Sequence, residues 1–246
     1  MKKILMIVPI LALAACEGSI ASAVASGAKS SFPDGVAITT SDSNPGDFSG
    51  VTLAGPDNVI FTAGSDFSIR AEGDPDAIEE LRYKIKDGQL KIGRESEGMG
   101  WTGNSGSAVV YVSAPVLKNA KLAGSGDLKV DEMSDESASL SLAGSGNIEV
   151  AKVETASLKA KLAGSGNMTM AGTAESASVS IAGSGDVLGK DLKADSASIK
   201  IAGSGDATLS SDGSVDAKIV GSGDIRVHGE ATCKSKTAGS GDVTCG

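Results

Sequence analysis

The tetrapeptide Gly-Ser-Gly-Asp or Gly-Ser-Gly-Asn occurs seven times in the second half of this 246-residue chain. The copies start at Gly124, Gly144, Gly164, Gly183, Gly203, Gly221 and Gly239, at spacings of 20, 20, 19, 20, 18 and 18 residues. A period of 18 to 20 residues is too short for a pair of helices and too regular for a linker. It is typical of a β-solenoid, in which each coil stacks on the one before it.

The residues on both sides of the motif alternate between apolar and polar, as in strands with one buried face. Counted from the first glycine, the apolar positions are −4, −2, +4 and +6, and a weaker one near +9 (Met133, Val153, Leu192) indicates a short third side. The glycines permit a sharp corner, and Asp or Asn suits a corner because its side chain bonds nearby backbone. We therefore predict an all-β solenoid with a narrow aliphatic interior. A disordered Gly/Ser tract would lack these phased apolar columns.

The amino terminus has the pattern of a bacterial lipoprotein signal. Residues 1–3 carry two lysines, and residues 4–13 are an apolar stretch too short to span a bilayer. The sequence Leu-Ala-Ala-Cys over residues 13–16 resembles a lipobox, which implies cleavage before Cys16 and lipid on its sulfur. The alternative is an ordinary secretory signal followed by a chance cysteine.

These features divide the chain into a signal peptide, a lipid-anchored tether and an exported domain. We expect a signal peptide over residues 1–15, a lipid-anchored flexible tether over 16–31, and one β-solenoid domain over 32–246. Within the solenoid, residues 32–115 are the irregular coils and 116–246 are the seven Gly-Ser-Gly-Asp/Asn coils. Glu17, rather than Asp, follows the lipidated cysteine and predicts an outer-membrane location.

The two cysteines that remain lie in the last coil. Cys233 and Cys245 stand six residues before and six residues after Gly239, at positions predicted to face inward. Because an exported chain is in an oxidising compartment, we predict a disulfide between them. Its role would be to close the last coil, in which Ser235 and Thr237 replace the usual aliphatic residues.

Composition excludes several classes of partner. Loss of Lys2 and Lys3 with the signal leaves 20 of the 22 basic residues against 31 acidic ones, a net charge near −11. Such an acidic chain is not expected to bind nucleic acid, and aromatic residues for stacking on sugars or bases make up only 3%. No cofactor is expected.

Residues 32–115 carry a fainter form of the same pattern. Residues 51–61 are a degenerate corner with flanking strands, and residues 68–72, 83–85, 90–92 and 109–112 are predicted strands. Asp87-Gly88 is a turn signal, and Asp74 followed by Pro75 predicts a short helix over residues 74–81. The glycine-rich loop over residues 95–107 contains Trp101, the only tryptophan of the chain and a candidate ligand contact.

This pairing of a mixed first half with Gly-Ser-Gly-Asp coils resembles the head GIN domain family. The resemblance covers roughly residues 48–246 and includes FSGVTLAGPDNVIFTAG, AVVYVSAPVLKNAKLAGSGDLKV and the coils that follow. It implies a right-handed parallel β-helix, a role like that of autotransporter adhesins, and no established enzymatic activity.

The aspartates at the corners are the first candidate ligand face. Five of the seven corner positions are Asp (Asp127, Asp186, Asp206, Asp224, Asp242), and Asn147 and Asn167 are the other two. Ca²⁺ is the cation that such a column would bind, but a hard cation tolerates Asn poorly, whereas a turn accepts either residue. Turn chemistry is the favoured interpretation, with a calcium-stabilised adhesin as the alternative.

A second column lies at position −3. It reads Lys121, Ser141, Lys161, Ser180, Lys200, Lys218 and Lys236 and is predicted to face outward. The functional hypothesis is a binding face for acidic polysaccharide. The simpler interpretation, favoured from the sequence, is a solvated face whose charges keep the strands soluble.

An enzymatic role is the weakest alternative. A polysaccharide-processing β-helix enzyme needs a groove walled by long loops, and the repeats leave almost no room for insertions. The sequence therefore predicts a lipid-anchored cell-envelope protein with an adhesin-like binding or scaffolding role, whose partners are the membrane and a cell-surface polysaccharide or protein.

Overall fold

Strands make up nearly all regular structure in the computed structural model, which describes residues 32, 34–95 and 106–246. The strands of the first half are β1 (Val36–Ala37), β2 (Gly50–Gly55), β3 (Asn58–Ala63), β4 (Ser68–Gly73), β5 (Leu81–Lys86), β6 (Gln89–Arg94) and β7 (Ala108–Ala114), and the short helix α1 (Pro75–Glu80) follows β4. The strands of the repeats are β8 (Asn119–Gly124), β9 (Asp127–Ser134), β10 (Ser137–Gly144), β11 (Asn147–Gly164), β12 (Asn167–Gly183), β13 (Val187–Gly203), β14 (Ala207–Gly221), β15 (Ile225–His228), β16 (Thr232–Gly239) and β17 (Val243–Cys245). The predicted β-solenoid is confirmed, with seven corners that bound about six turns.

Each coil has three walls. In the coil that ends at Gly164, wall B is residues 147–150, wall C is 152–155, and wall A is 157–164, which ends at the corner glycine. The register shifts between walls B and C, where the strand bends. Walls of successive coils pair in parallel, about 4.8 Å apart, so the seven corners span roughly 30 Å.

The corner is the tightest point of the stack. Gly164 has a φ of +133°, which residues with a Cβ rarely adopt. The Gly144 carbonyl of the coil before accepts hydrogen bonds from Ser165 N at 3.0 Å and Gly166 N at 3.2 Å. A Cβ on Gly164 would overlap that same carbonyl oxygen. Backbone therefore packs directly on backbone at every corner.

Aliphatic side chains form columns inside the walls. The column at position −2 is exposed by 2% or less in each of six coils. It consists of Leu122, Leu142, Leu162, Ile181, Ile201 and Ile219. Burial of each such side chain contributes about 1.5–3 kcal/mol, so stacked columns supply the driving force that the thin coil lacks on its own.

The first half does not stack in chain order. β2 pairs in parallel with both β6 and β8, and β3 pairs in parallel with both β7 and β9. The β2–β3 coil, with Gly55 aligned to Gly124, is therefore inserted between the coil of β6 and β7 and the first repeat. The degenerate corner over residues 51–61 is confirmed, but its place in the stack was not predicted.

Antiparallel strands cover the amino-terminal end of the stack. β4 pairs with β7, β5 with β6, and β1 with β5, all antiparallel. The predicted turn between β5 and β6 is present, with φ of 54° at Asp87 and 69° at Gly88. Helix α1 is also confirmed, although the Asp74 carboxylate accepts a hydrogen bond from Ser107 N at 2.9 Å instead of capping the helix. Across the described ranges, no helix has the length and apolarity of a membrane span.

A buried ion pair lies at the corner of the β2–β3 coil. Asp57 stands where the repeats have glycine, and its side chain is 1% exposed. The carboxylate accepts hydrogen bonds from Arg94 Nε at 2.7 Å, Arg94 Nη2 at 2.5 Å and Ala108 N at 3.1 Å. The bond to Asp57 raises the pKa of the Arg94 guanidinium above its usual value. The pair ties β6 and β7 to the inserted β2–β3 coil.

Replacement of a corner glycine should be far more damaging than replacement of its neighbour. We expect Gly164→Ala to lower the free energy of unfolding by about 3 kcal/mol or more, because the new Cβ meets the Gly144 carbonyl at an unfavourable φ. Ser165→Ala, at an exposed position, is the matched control and should change it by about 0.5 kcal/mol or less. Urea unfolding monitored by circular dichroism measures both. Equal effects would contradict backbone packing at the corner.

Candidate functional site

The corner Asp and Asn side chains form a hydrogen-bonded ladder along the solenoid. Each side-chain Oδ1 except that of the last member accepts a hydrogen bond from the backbone N–H of the corner residue in the next coil, at 2.7 to 3.2 Å. The members in order are Asn58, Asp127, Asn147, Asn167, Asp186, Asp206, Asp224 and Asp242. Each rung satisfies a backbone donor that wall pairing leaves open at the corner.

The ladder explains why Asp and Asn exchange at this position. Both residues carry the Oδ1 acceptor that a rung needs, and Asn147 also donates from Nδ2 to Asp127 Oδ1 at 2.8 Å. Four consecutive aspartates, from Asp186 to Asp242, repel one another by about 1 kcal/mol per neighbour in water. Among the described residues, no group of three or more His, Cys, Asp or Glu side chains is arranged to hold a metal ion. The column is accounted for by backbone hydrogen bonding.

Substitutions at Asp206 separate the ladder from a calcium site. We expect Asp206→Asn to keep the melting temperature or raise it, because the acceptor stays and a like charge goes. Asp206→Ala should lose about 1 kcal/mol, since the N–H of Asp224 loses its partner. Thermal melts in EDTA and in millimolar Ca²⁺ should coincide for the unsubstituted chain. A rise with Ca²⁺ that Asp206→Asn abolishes would restore the calcium hypothesis.

The last coil is held by the predicted disulfide. Cys233 and Cys245 are bonded, with their Cα atoms 6.5 Å apart, and both pack against the apolar core. In the same coil the inward positions Ser235 and Thr237 are exposed, and within the described residues β14 is the strand in register with β16. The disulfide therefore replaces aliphatic burial at this end of the stack.

Loss of this disulfide should loosen the last coil alone. In a Cys233→Ser/Cys245→Ser chain we expect faster amide hydrogen exchange over residues 232–245, because no apolar column holds that segment. Exchange over residues 157–203 should stay as in the unsubstituted chain, which serves as the internal control. Hydrogen exchange followed by mass spectrometry measures both segments. Faster exchange throughout would show that the disulfide supports the whole domain.

The outward side of wall A is flat and basic. We call it the lysine face and define it as positions −5, −3 and −1 before each corner. Position −3 confirms the predicted outward stripe. The column at position −5 consists of Asn119, Ser139, Lys159, Ser178, Ser198, Asp216 and Lys234. The column at −3 consists of Lys121, Ser141, Lys161, Ser180, Lys200, Lys218 and Lys236. The column at −1 consists of Ala123, Ala143, Ala163, Ala182, Ala202, Val220 and Ala238.

Charge is segregated between this face and the other walls. Residues 116–246 contain 13 basic and 17 acidic residues, of which seven lysines and Asp216 lie on the lysine face. The face therefore has a net charge of +6, while the remainder of this segment has −10. All seven lysines are exposed, and within residues 106–246 none of them is in an ion pair.

Most lysines on the other walls of residues 106–246 behave differently, because carboxylates of neighbouring coils pair with them; Lys190 is the exception. Lys129 Nζ lies 3.5 Å from Glu149, Lys152 Nζ 3.0 Å from Glu132, and Lys193 Nζ 2.6 Å from Asp212. The hydrogen bond from Lys193 lowers the pKa of Asp212, and the hydrogen bond that Lys152 donates to Glu132 raises the pKa of Lys152. Cross-coil ion pairs are thus available in this fold, and none forms on the lysine face, where Asp216, in register with Lys234, is the single acidic residue.

The remaining sequence candidates lie elsewhere. Cys16 and Trp101 fall outside the described residues. His228 is half-buried at the end of β15 on wall B. The shallow depression on wall C is lined by Asp135, Glu154, Glu175, Lys193 and Asp195 and is open to solvent. Lys159 and Lys234 at position −5 were not predicted as part of this face, although alignment of that position across the coils would have revealed them.

Comparison with known proteins agrees with this architecture. A family model described as "Putative auto-transporter adhesin, head GIN domain" matches residues 47–231, about three quarters of the chain. No curated protein matches the chain.

Several crystal structures have a similar fold. A putative adhesin from Bacteroides fragilis has a TM-score of 0.76 at 19% identity, over 83% of this chain and 95% of its own. A putative adhesin from Parabacteroides merdae has a TM-score of 0.64 at 22% identity, over 84% and 95% of the two chains. A putative lipid binding protein from Parabacteroides distasonis has a TM-score of 0.64 at 25% identity, over the same shares.

Proposed function

Because the chain belongs to the head GIN domain family, we propose that it is a non-enzymatic, adhesin-like binding protein of the cell envelope. The observation that carries this proposal is the lysine face, an uninterrupted exposed wall that runs the length of the repeats and is not needed to hold them together. The coils are stabilised from inside by the aliphatic columns and at the corner by the ladder. The outward side of wall A is thus free to meet a partner.

Attachment to the membrane is the second part of the proposal. Cys16 carries lipid, and the segment over residues 16–31 links it to the solenoid. Glu17 favours the outer membrane. This arrangement presents a rod of roughly 30 Å at the membrane, which suits reversible contact with a surface or polymer beyond the anchor.

The alternatives have less support in the geometry. Calcium stabilisation has less support because no three acidic side chains among the described residues are arranged to hold a metal ion, and because backbone hydrogen bonds to Oδ1 already account for the corner residues. Polysaccharide processing needs a general acid and base in a groove, whereas the carboxylates on wall C lie in an open depression. The lipid binding named for the Parabacteroides distasonis protein would need room for a lipid, and aliphatic side chains fill the interior here.

Removal of the lipidation site tests the anchor. In cells that express the full chain, we expect Cys16→Ser to move the protein from the membrane fraction to the soluble fraction, because the acyl chains are its means of attachment. Cys233→Ser/Cys245→Ser is the matched control and should stay with the membrane. Fractionation with immunoblotting measures both. Membrane retention of the Cys16→Ser chain would contradict lipid anchoring.

The adhesive role is tested on whole cells. Cells that lack the protein should attach to polymer-coated surfaces less than cells that express it, and protease treatment of intact cells should cleave the rod if it faces outward. Equal attachment with and without the protein would contradict an adhesin-like role.

A further inference from the structure

We propose that the lysine face binds a linear, carboxylate-bearing polysaccharide that lies along the axis of the solenoid. The proposal rests on the adhesin-like function above and names the chemistry of its partner. It starts from the charge pattern, since the face has a net charge of +6 on a chain whose overall charge is −9.

Solubility alone does not account for this pattern. Lys200, Lys218 and Lys236 are in register in three successive coils, about 4.8 Å apart along the backbone. Like charges at this separation repel, and alternation with Glu or Asp would relieve the repulsion, as the cross-coil pair Lys129–Glu149 does on wall B. A wall with both lysines and carboxylates would be as soluble as one with lysines alone. A polyanion supplies the missing negative charges from outside.

The layout of the lysines fits a chain molecule. In the −3 column, Lys121, Lys161 and Lys200 are two coils apart, and serines occupy the coils between them. Lys159 and Lys234 extend the positive charge sideways by about 7 Å, two residues along the strand. The ammonium groups thus follow a strip parallel to the rod axis, where a linear polymer contacts several of them at once.

The neighbouring side chains favour sugar over lipid. Hydroxyl groups of Ser139, Ser178 and Ser198 stand between the lysines and can donate to or accept from sugar hydroxyls. Insertion into a bilayer surface uses aromatic or large apolar side chains. On this face the −1 column is alanine except for Val220, which is 63% exposed. A membrane surface is therefore the less favoured partner.

Binding to defined polymers tests the proposal with the full chain in mild detergent. We expect the chain to bind polygalacturonate, with affinity that falls as salt rises, and not to bind neutral dextran. Lys161→Gln/Lys200→Gln/Lys218→Gln removes three charges from the lysine face and should weaken binding about tenfold. The matched control, Lys129→Gln/Lys152→Gln/Lys190→Gln, removes three charges from the other walls and should bind as the unsubstituted chain does. Biolayer interferometry measures affinity, and thermal melts check that each variant is folded.

Four outcomes would overturn the proposal. If the two triple variants lose equal affinity for polygalacturonate, the attraction is diffuse and does not depend on the lysine face. If dextran binds as tightly as polygalacturonate does, the carboxylates of the polymer are not what the protein recognises. Binding to vesicles of phosphatidylcholine with one third phosphatidylglycerol, lost in the lysine-face variant and unaccompanied by polygalacturonate binding, would make the face a membrane surface. If cells with the lysine-face variant attach normally while cells without the protein do not, this inference fails and the adhesin-like function stands.

Discussion

Direct packing of backbone on backbone at the glycine corners determines the rest of this structure. The Gly144 carbonyl accepts hydrogen bonds from Ser165 and Gly166 of the next coil, and it occupies the space that a Cβ on Gly164 would need. Only one register permits this contact, so every other position of the coil is aligned with its equivalent above and below. The aliphatic columns, the Asp/Asn ladder and the lysine columns are all consequences of that fixed register.

Because the coils are in register, the residue type at one position of the coil determines the character of a whole line of side chains along the stack. A residue type that recurs at position −3 recurs in space at one-coil intervals, so charges accumulate in lines. The chain handles such lines in three ways. At the corners, Oδ1 of Asp or Asn serves the next backbone N–H; on walls B and C, Lys129 and Lys152 meet carboxylates of neighbouring coils; and on wall A the lysines stay unpaired. The unpaired lysines on wall A are not required for stability, and for that reason we infer that they serve an external partner.

The sequence predicts the repeats well and the amino-terminal end poorly, for one physical reason. In the repeats, neighbours in space are separated by a constant 18 to 20 residues, so periodicity alone identifies which residues meet. The strands of the first half, the Asp87-Gly88 turn and helix α1 follow from local signals. Their arrangement does not, because insertion of the β2–β3 coil between β6–β7 and β8–β9 depends on tertiary packing. The Asp57–Arg94 pair was missed since its residues are 37 positions apart and neither lies in a Gly-Ser-Gly-Asp/Asn copy. Within the lysine face, the −3 column was found from the sequence, whereas its lack of ion pairs required the structure.

The two end coils of the stack are stabilised in different ways, and this difference affects where a partner can bind. At the amino-terminal end, β4 and β5 cover the first coil with antiparallel strands, and the buried Asp57–Arg94 pair ties that first coil to the β2–β3 coil. At the carboxy-terminal end, β16 presents a polar edge, which Cys233–Cys245 ties down and on which Lys234 and Lys236 project. Charged side chains on an edge strand disfavour further strand pairing. Growth by edge-to-edge addition is thus opposed at this end, and the outward side of wall A is the extended, regular surface on which binding energy can accumulate along the rod.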